Sequence, residues 1–313
     1  MTIVIISPAA HDTTLGNSIT ANRWAGILRT LGHAVSIATE WNGESCDMLI
    51  ALHARRSHSS IQRFRQAYPE HPLIVALTGT DLYNDLPSNR EVNHSLDLAT
   101  RIVVLQSAAL ELLPGDVRSK ACVIYQSAVA PEHPPKADEA HFDVCVLSHL
   151  RDVKDPLRAA FASRLLPAAS KIRIIHAGRT LDPRWEALAR REERENPRYR
   201  WIGEQSHDAA MGLLAGSKLF VLSSAAEGGA NAIAEAVVCG VPVVCSDIPG
   251  NVGMLQRGYP GYFRPGDTEQ LALLLHRAET DTAFTSEIRT LILRMQNRFS
   301  PAEELAAWDQ LAV

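Results

Sequence analysis

The sequence predicts an α/β chain of two Rossmann-like domains, each a parallel sheet covered by helices on both faces. Short apolar runs rich in β-branched residues alternate with segments of helical period, the pattern of doubly buried strands joined by crossover helices. A stretch at 130–142, APEHPPKADEAHF, is rich in proline and charge and almost free of apolar periodicity, so it reads as a linker. Beyond it the alternation resumes with a different sequence, and 313 residues suffice for two such domains. The expected boundaries are 1–130, a linker at 131–142, and 143–313.

Taken in order, strands are expected at 3–6, 35–38, 48–52, 73–77, 102–105 and 123–125. Between the first two, Ser18 is placed to cap a helix whose Trp24, Ile27, Leu28 and Leu31 share one face, and Gly32 ends it. Past the linker, strands are expected at 144–147, 172–176, 200–202, 219–222 and 243–245. Helices are expected at 183–194, at 208–215 and from near Asn231. A last helix at 301–311 either completes the second domain or folds back on the first. Two such domains facing each other would bring the carboxyl ends of both sheets to a common cleft, where open α/β sheets bind ligands.

Composition excludes several classes. The net charge is −4 and no basic run approaches a nucleic-acid face. Apolar stretches are of strand length, far below the ~18 residues of a membrane span. The opening MTIVIISP lacks a basic, then apolar, leader and reads as a strand, so a cytoplasmic location is expected. Cys46, Cys122, Cys145, Cys239 and Cys245 form an odd set without a CxxC, expected to be reduced, buried small hydrophobes.

The segment 223–250, SSAAEGGANAIAEAVVCGVPVVCSDIPG, carries the sharpest chemical signal. A strand runs into a glycine turn, then a helix, Gly240 and another strand. Gly228 and Gly229 expose backbone amides beside a helix N-terminus, with Ala230 and Asn231 at its start, a setting that favours an anion such as a diphosphate. Glu235, one turn into that helix, suits a vicinal diol, because a carboxylate can accept from two hydroxyls. Glu227 lies in the preceding loop. Taken singly, the glutamates also read as helix-end charges and the glycines as turn residues.

This region resembles the donor-binding segment of the family-four GT-B glycosyltransferases, whose E-x7-E pattern is met by Glu227 and Glu235. The resemblance implies that Glu235 contacts the nucleotide ribose and Glu227 the transferred sugar. SHLRDVKD at 148–155 resembles the family's basic diphosphate pair, carried here by Arg151 and Lys154, which would stabilise charge on a departing diphosphate. Gly16 and Asn17, in the expected loop after the first strand, would pass close to the donor. They do not form the G-x-G-x-x-G of dinucleotide-dependent dehydrogenases.

Three further segments, ALHARRS at 51–57, LTGTDLY at 77–83 and Gln126-Ser127, together with Gly16-Asn17 and Arg23-Trp24, resemble the selenosugar synthases of selenoneine biosynthesis. That similarity runs along essentially the whole chain. It implies transfer of a sugar from UDP-N-acetylglucosamine or UDP-glucose to selenium of selenophosphate, with other enzymes of selenoneine biosynthesis as partners. His53, Arg55 and Arg56 would orient the anionic acceptor. Thr78, Thr80 and Asp81 offer hydrogen bonds, with Gly79 permitting an unusual backbone angle, and Gln126 and Ser127 complete the acceptor side. Many family-four enzymes place a histidine where this chain has Thr78, so that histidine's role does not carry across. No D-x-D motif stands in a suitable loop, so neither a metal nor a cofactor is expected. The competing readings are a glycosyltransferase with another small acceptor and a non-catalytic nucleotide-sugar-binding protein.

Overall fold

The computed structural model describes residues 1–8, 16–86 and 88–311, with Asn84 described through its backbone alone. The chain divides into two compact units, one formed by Met1–Gln126 with Pro301–Val313 and the other by Ser127–Ser300.

In the first unit the apolar runs become β1 (Thr2–Ile6), β2 (Ala34–Ala38), β3 (Met48–Leu52), β4 (Leu73–Leu77), β5 (Arg101–Val104) and β6 (Ala121–Val123). They pair in parallel in the order β2-β1-β3-β4-β5-β6. Both faces are buried, which is why these strands are apolar throughout rather than alternating. Ile3 and Ile5 pack with Trp24, Leu28 and Trp308, while Val4 and Ile6 face Phe64, Val92 and Leu96. β6 stops at Val123 rather than reaching 125, because its partner β5 ends at Val104. Only the Ile124 amide continues the ladder, to the Val104 carbonyl.

The first helix, Gly16–Thr30, starts before Ser18, which is buried within it and is not its cap. Gly16 and Asn17 therefore sit in the first helical turn rather than in the loop, and most of that loop, 9–15, lies outside the described residues. Gly32, at φ +87°, ends the helix as the pattern predicts. Its amide bonds the Arg29 carbonyl and that of His33 the Leu28 carbonyl, the paired closure a left-handed glycine permits. The helix Pro301–Leu311 packs on this unit. Trp308 meets Trp24 edge-on at 4.8 Å between centroids, and the Trp24 indole donates to Glu304 Oε1 at 3.0 Å.

The second unit contains β7 (Phe142–Leu147), β8 (Ile172–Ala177), β9 (Tyr199–Trp201), β10 (Leu219–Leu222), β11 (Val243–Ser246) and β12 (Tyr262–Phe263). They are all parallel, in the order β12-β11-β10-β7-β8-β9. The two-residue β12 is too short to show periodicity and was not expected. Cys46, Cys145 and Cys245 are buried thiols. Cys122 and Cys239 are only partly buried, a departure from the expected fully buried set, and all five are free. Burial pushes Cys46 and Cys239 up to about 11, which leaves them protonated and unreactive near neutrality. Among the described residues no helix is long and apolar enough to cross a membrane.

His176, fully buried in β8, accepts at Nδ1 from the Tyr199 hydroxyl at 3.0 Å and donates from Nε2 to the Ser148 carbonyl at 2.9 Å. Burial lowers its pKa from 6.5 to about 4. The unfolded chain therefore takes up this proton first as pH falls, and stability present above pH 6.5 is lost progressively down to about pH 4. The full effect is worth about 3 kcal/mol. Urea midpoints measured at pH 7.5 and 4.5 should diverge more for the wild type than for His176→Gln. Equal divergence would remove this histidine as the cause.

Candidate functional site

Each sheet reverses strand order beside its first strand, and at such a reversal the two flanking loops part to leave a crevice beyond the carboxyl ends. In the second unit the reversal lies between β7 and β10, so its crevice is bounded by 148–155 and 223–230. These are the two segments singled out by sequence. Lys154 from the first and Glu227 from the second meet there, Nζ to Oε1 at 2.5 Å, with side chains 18% and 10% exposed. Arg151 lies on the same loop with its side chain exposed.

Both loops are fixed by their own backbone. Ser223 Oγ bonds the carbonyls of Lys154 and Asp155 at 3.2 and 2.8 Å, and the Ala225 amide donates to the Val153 carbonyl at 2.8 Å. Asp155 takes a left-handed conformation, φ +44°, and its carboxylate accepts from Arg158 Nε and Nη2 at 2.7 and 3.2 Å. Asp152 is held at the outer end by Arg184 and the Trp185 indole. Behind Glu227, the helix Pro249–Leu255 approaches so closely that a β-carbon on Gly250 would stand 2.0 Å from the Glu227 carbonyl oxygen. A β-carbon on Gly178, after β8, would stand 1.9 Å from the Ser148 carbonyl oxygen. Ser223, Gly178 and Gly250 were not assigned from sequence. The Pro249-Gly250 pair was a legible turn signal, but its neighbour was not.

Gly228 and Gly229 lead into the helix Asn231–Val238. Its N-cap is Ala230, which has no side-chain oxygen to accept from the first-turn amides, so the helix dipole opens on a glycine turn. Glu235 sits on the second turn, partly buried, with Oε1 4.0 Å from His207 Nδ1. Lys154 and Glu227 are thus paired at this crevice, with Arg151 on the loop of the first and the glycine turn after the second leading into the helix that bears Glu235.

In the first unit the reversal falls between β1 and β3. His53 follows β3 in a left-handed conformation, φ +69°, and is 3% exposed. Its Nε2 lies 2.9 Å from Thr80 Oγ1. Asp81, fully buried, accepts backbone N–H groups from Ala54, Thr78, Gly79 and Leu82, so its carboxylate joins the turn after β4 to that after β3. Burial raises the Asp81 pKa, opposed by His53 and by the amides of Ala54, Gly79 and Thr78. It opens a wide π-helical turn, Asp81–Asp85, a feature frequent at functional sites. Gly79 has φ +151°. Arg55 pairs with Asp85 at 2.9 Å, while Arg56 is exposed. Gln126 is buried and donates to Thr20 Oγ1 at 2.6 Å, and Thr20 in turn bonds the Gly16 carbonyl. Ser127, also buried, begins the second unit. His53, Thr78, Gly79, Thr80 and Asp81 thus form one cluster. Arg55 joins its edge, whereas Gln126 belongs with Thr20 and Gly16. Among the described residues no group of three or more His, Cys, Asp or Glu side chains is arranged to hold a metal ion.

Two parallel Rossmann-like sheets are the GT-B fold of glycosyltransferases. The chain belongs to the family Glycosyl transferases group 1, whose family model matches residues 132–291, just over half of its length. It is similar over its whole length to HepE from Anabaena, solved with UDP-glucose (15% identity, 100% of this chain and 99% of that one, TM-score 0.78). A second similar structure is sucrose-phosphate synthase from Thermosynechococcus elongatus (16% identity, 100% and 98%, TM-score 0.79). The pneumococcal O-GlcNAc transferase GtfA, solved with UDP and GlcNAc, aligns with 84% of this chain and 56% of its own (15% identity, TM-score 0.62).

Proposed function

We propose that this glycosyltransferase takes its sugar from UDP-glucose or UDP-N-acetylglucosamine and transfers it to selenium of selenophosphate. The observation that carries the donor half is the Lys154–Glu227 pair at the strand-order reversal of the second unit, beside the uncapped helix Asn231–Val238. UDP or UDP-glucose bound to structurally similar proteins agrees with it.

In this reading Glu235 accepts from the ribose hydroxyls, while Arg151, Lys154 and the amides of Gly228 to Asn231 receive the diphosphate. Glu227 exchanges Lys154 for the sugar hydroxyls. The side chains of the first unit, Arg55, Arg56 and Thr80, hold the acceptor anion, with His53 beside Thr80. A selenium lone pair forms the bond to the anomeric carbon while the bond from that carbon to oxygen breaks, its electron pair leaving on UDP. Charge grows on the β-phosphate as this happens, and fixed cations and amides stabilise it without reorganising. Water then cleaves the phosphorus–selenium bond, giving the selenosugar and phosphate. Selenium ionises easily, which lessens the need for a general base. The other enzymes of selenoneine biosynthesis and a cytoplasmic setting belong to the same proposal.

The test is incubation of the purified protein with each UDP-sugar, with and without selenophosphate, followed by mass spectrometry. The expected result is UDP together with a sugar carrying the selenium isotope pattern, formed only when selenophosphate is present. UDP release at the same rate without it, or sugar free of selenium, rules out the acceptor.

A further inference from the structure

We propose that His53 is a positioning residue that fixes the Thr80 hydroxyl as a hydrogen-bond donor to an oxygen of the anionic acceptor; this rests on the first-unit acceptor reading above. The tautomer follows from the partners. Two groups face His53 Nδ1, the Arg56 backbone N–H at 3.4 Å and Asp81 Oδ2 at 3.8 Å; only the N–H is within hydrogen-bond distance, and it can only donate, so Nδ1 carries the lone pair. Nε2 then carries the hydrogen and donates to Thr80 Oγ1 at 2.9 Å. Because Thr80 accepts from the ring, its own hydroxyl hydrogen must be directed elsewhere, and Thr80 is exposed.

The backbone around it is arranged for this single outlet. The amides of Thr78, Gly79, Leu82 and Ala54 all donate to Asp81, so they do not compete for an anion. His53 keeps its left-handed backbone, a conformation unfavourable for a residue other than glycine, and its own amide bonds the Ala76 carbonyl at 2.9 Å. The ring is thus presented to Thr80 from the neighbouring strand. Burial, with Arg55 and Arg56 nearby, lowers the His53 pKa against the pull of Asp81 and Asp85, which keeps the ring neutral and the tautomer defined. With both nitrogens engaged, His53 orients a donor rather than accepting a proton from the substrate.

A double-mutant cycle tests the role, read as kcat/KM for selenophosphate at saturating UDP-sugar. Thr80→Val and His53→Leu should each lower it roughly 10- to 100-fold, the cost of a hydrogen bond to a charged group, while KM for the UDP-sugar stays unchanged. The double variant should lose no more than Thr80→Val alone, since both changes remove the same bond. Thr80→Ser, which keeps the hydroxyl, and His53→Gln, which keeps a donor at the Nε2 position, should recover most of the activity. If the losses multiply in the double variant, or Thr80→Val matches the wild type, the positioning role is overturned while the acceptor reading stands. A wild-type protein that forms no product with selenophosphate overturns the acceptor reading, and this role with it.

Discussion

Replacing Lys154 by methionine is expected to lower kcat/KM on the proposed UDP-sugar about a thousandfold, the scale of removing one fixed donor from a site of developing negative charge. Methionine keeps the length and apolar stem of lysine and removes only the charge. The ammonium is mostly screened from water and is already directed into the crevice by Glu227. Its loop is held by Ser223 and Ala225 from behind, so the lysine's backbone is fixed before substrate arrives and only its side chain changes partner. The substitution also strands Glu227 without its cation, so the melting temperature should fall by a few degrees. Pairing it with Glu227→Gln should restore that stability but not turnover. Steady-state kinetics beside thermal unfolding separates the two effects. A Lys154→Met enzyme with lowered melting temperature and wild-type kcat/KM would make the pair structural.

Gly250→Ala is expected to damage stability and turnover together. The added carbon would stand 2.0 Å from the Glu227 carbonyl oxygen and 2.9 Å from its carbonyl carbon. Both sides of this contact are main chain, so no rotamer change relieves it, and either the helix Pro249–Leu255 or the loop bearing Glu227 must move. Overpacking of this kind costs about 3 kcal/mol, and a displacement of about 1 Å at a reacting group costs on the order of a hundredfold in rate. Gly212→Ala is the control. That glycine lies inside the helix His207–Ala215 with nothing within 4 Å of the added carbon, so a gain of about 0.5–1 kcal/mol is expected. Denaturant titration and kinetics on both variants check the contrast. A Gly250→Ala protein as stable and active as wild type would show that the close approach is not rigid.

Much of the second unit's site was legible because its parts are contiguous. The glycines, the helix start and both glutamates occupy one short segment, and the E-x7-E spacing survives in any reading of it. Arg151 and Lys154 were legible as charges after a strand, but their relation to Glu227 was not, because that contact spans 73 residues. The first unit was read less completely. His53 and Asp81 appeared as two polar residues on separate loops. Of the backbone amides that converge on Asp81, those of Thr78, Gly79 and Leu82 are local to its turn, but that of Ala54 reaches it only because β3 and β4 are adjacent.

By itself the sequence determined the order of nearly every strand and several of the helices between them, since doubly buried strands must be apolar throughout and helices must repeat their apolar face. It also identified the glycine turn and carboxylates whose chemistry suits a nucleotide-sugar. The tertiary structure decided which unit receives the helix Pro301–Leu311, through Trp24 and Trp308. It decided that Lys154 and Glu227 are partners, and that Gly250 supports one of them. These are contacts between segments far apart in the chain. Periodicity reports which face of an element is buried, whereas the partner on that face is fixed only when strand order and packing bring the segments together.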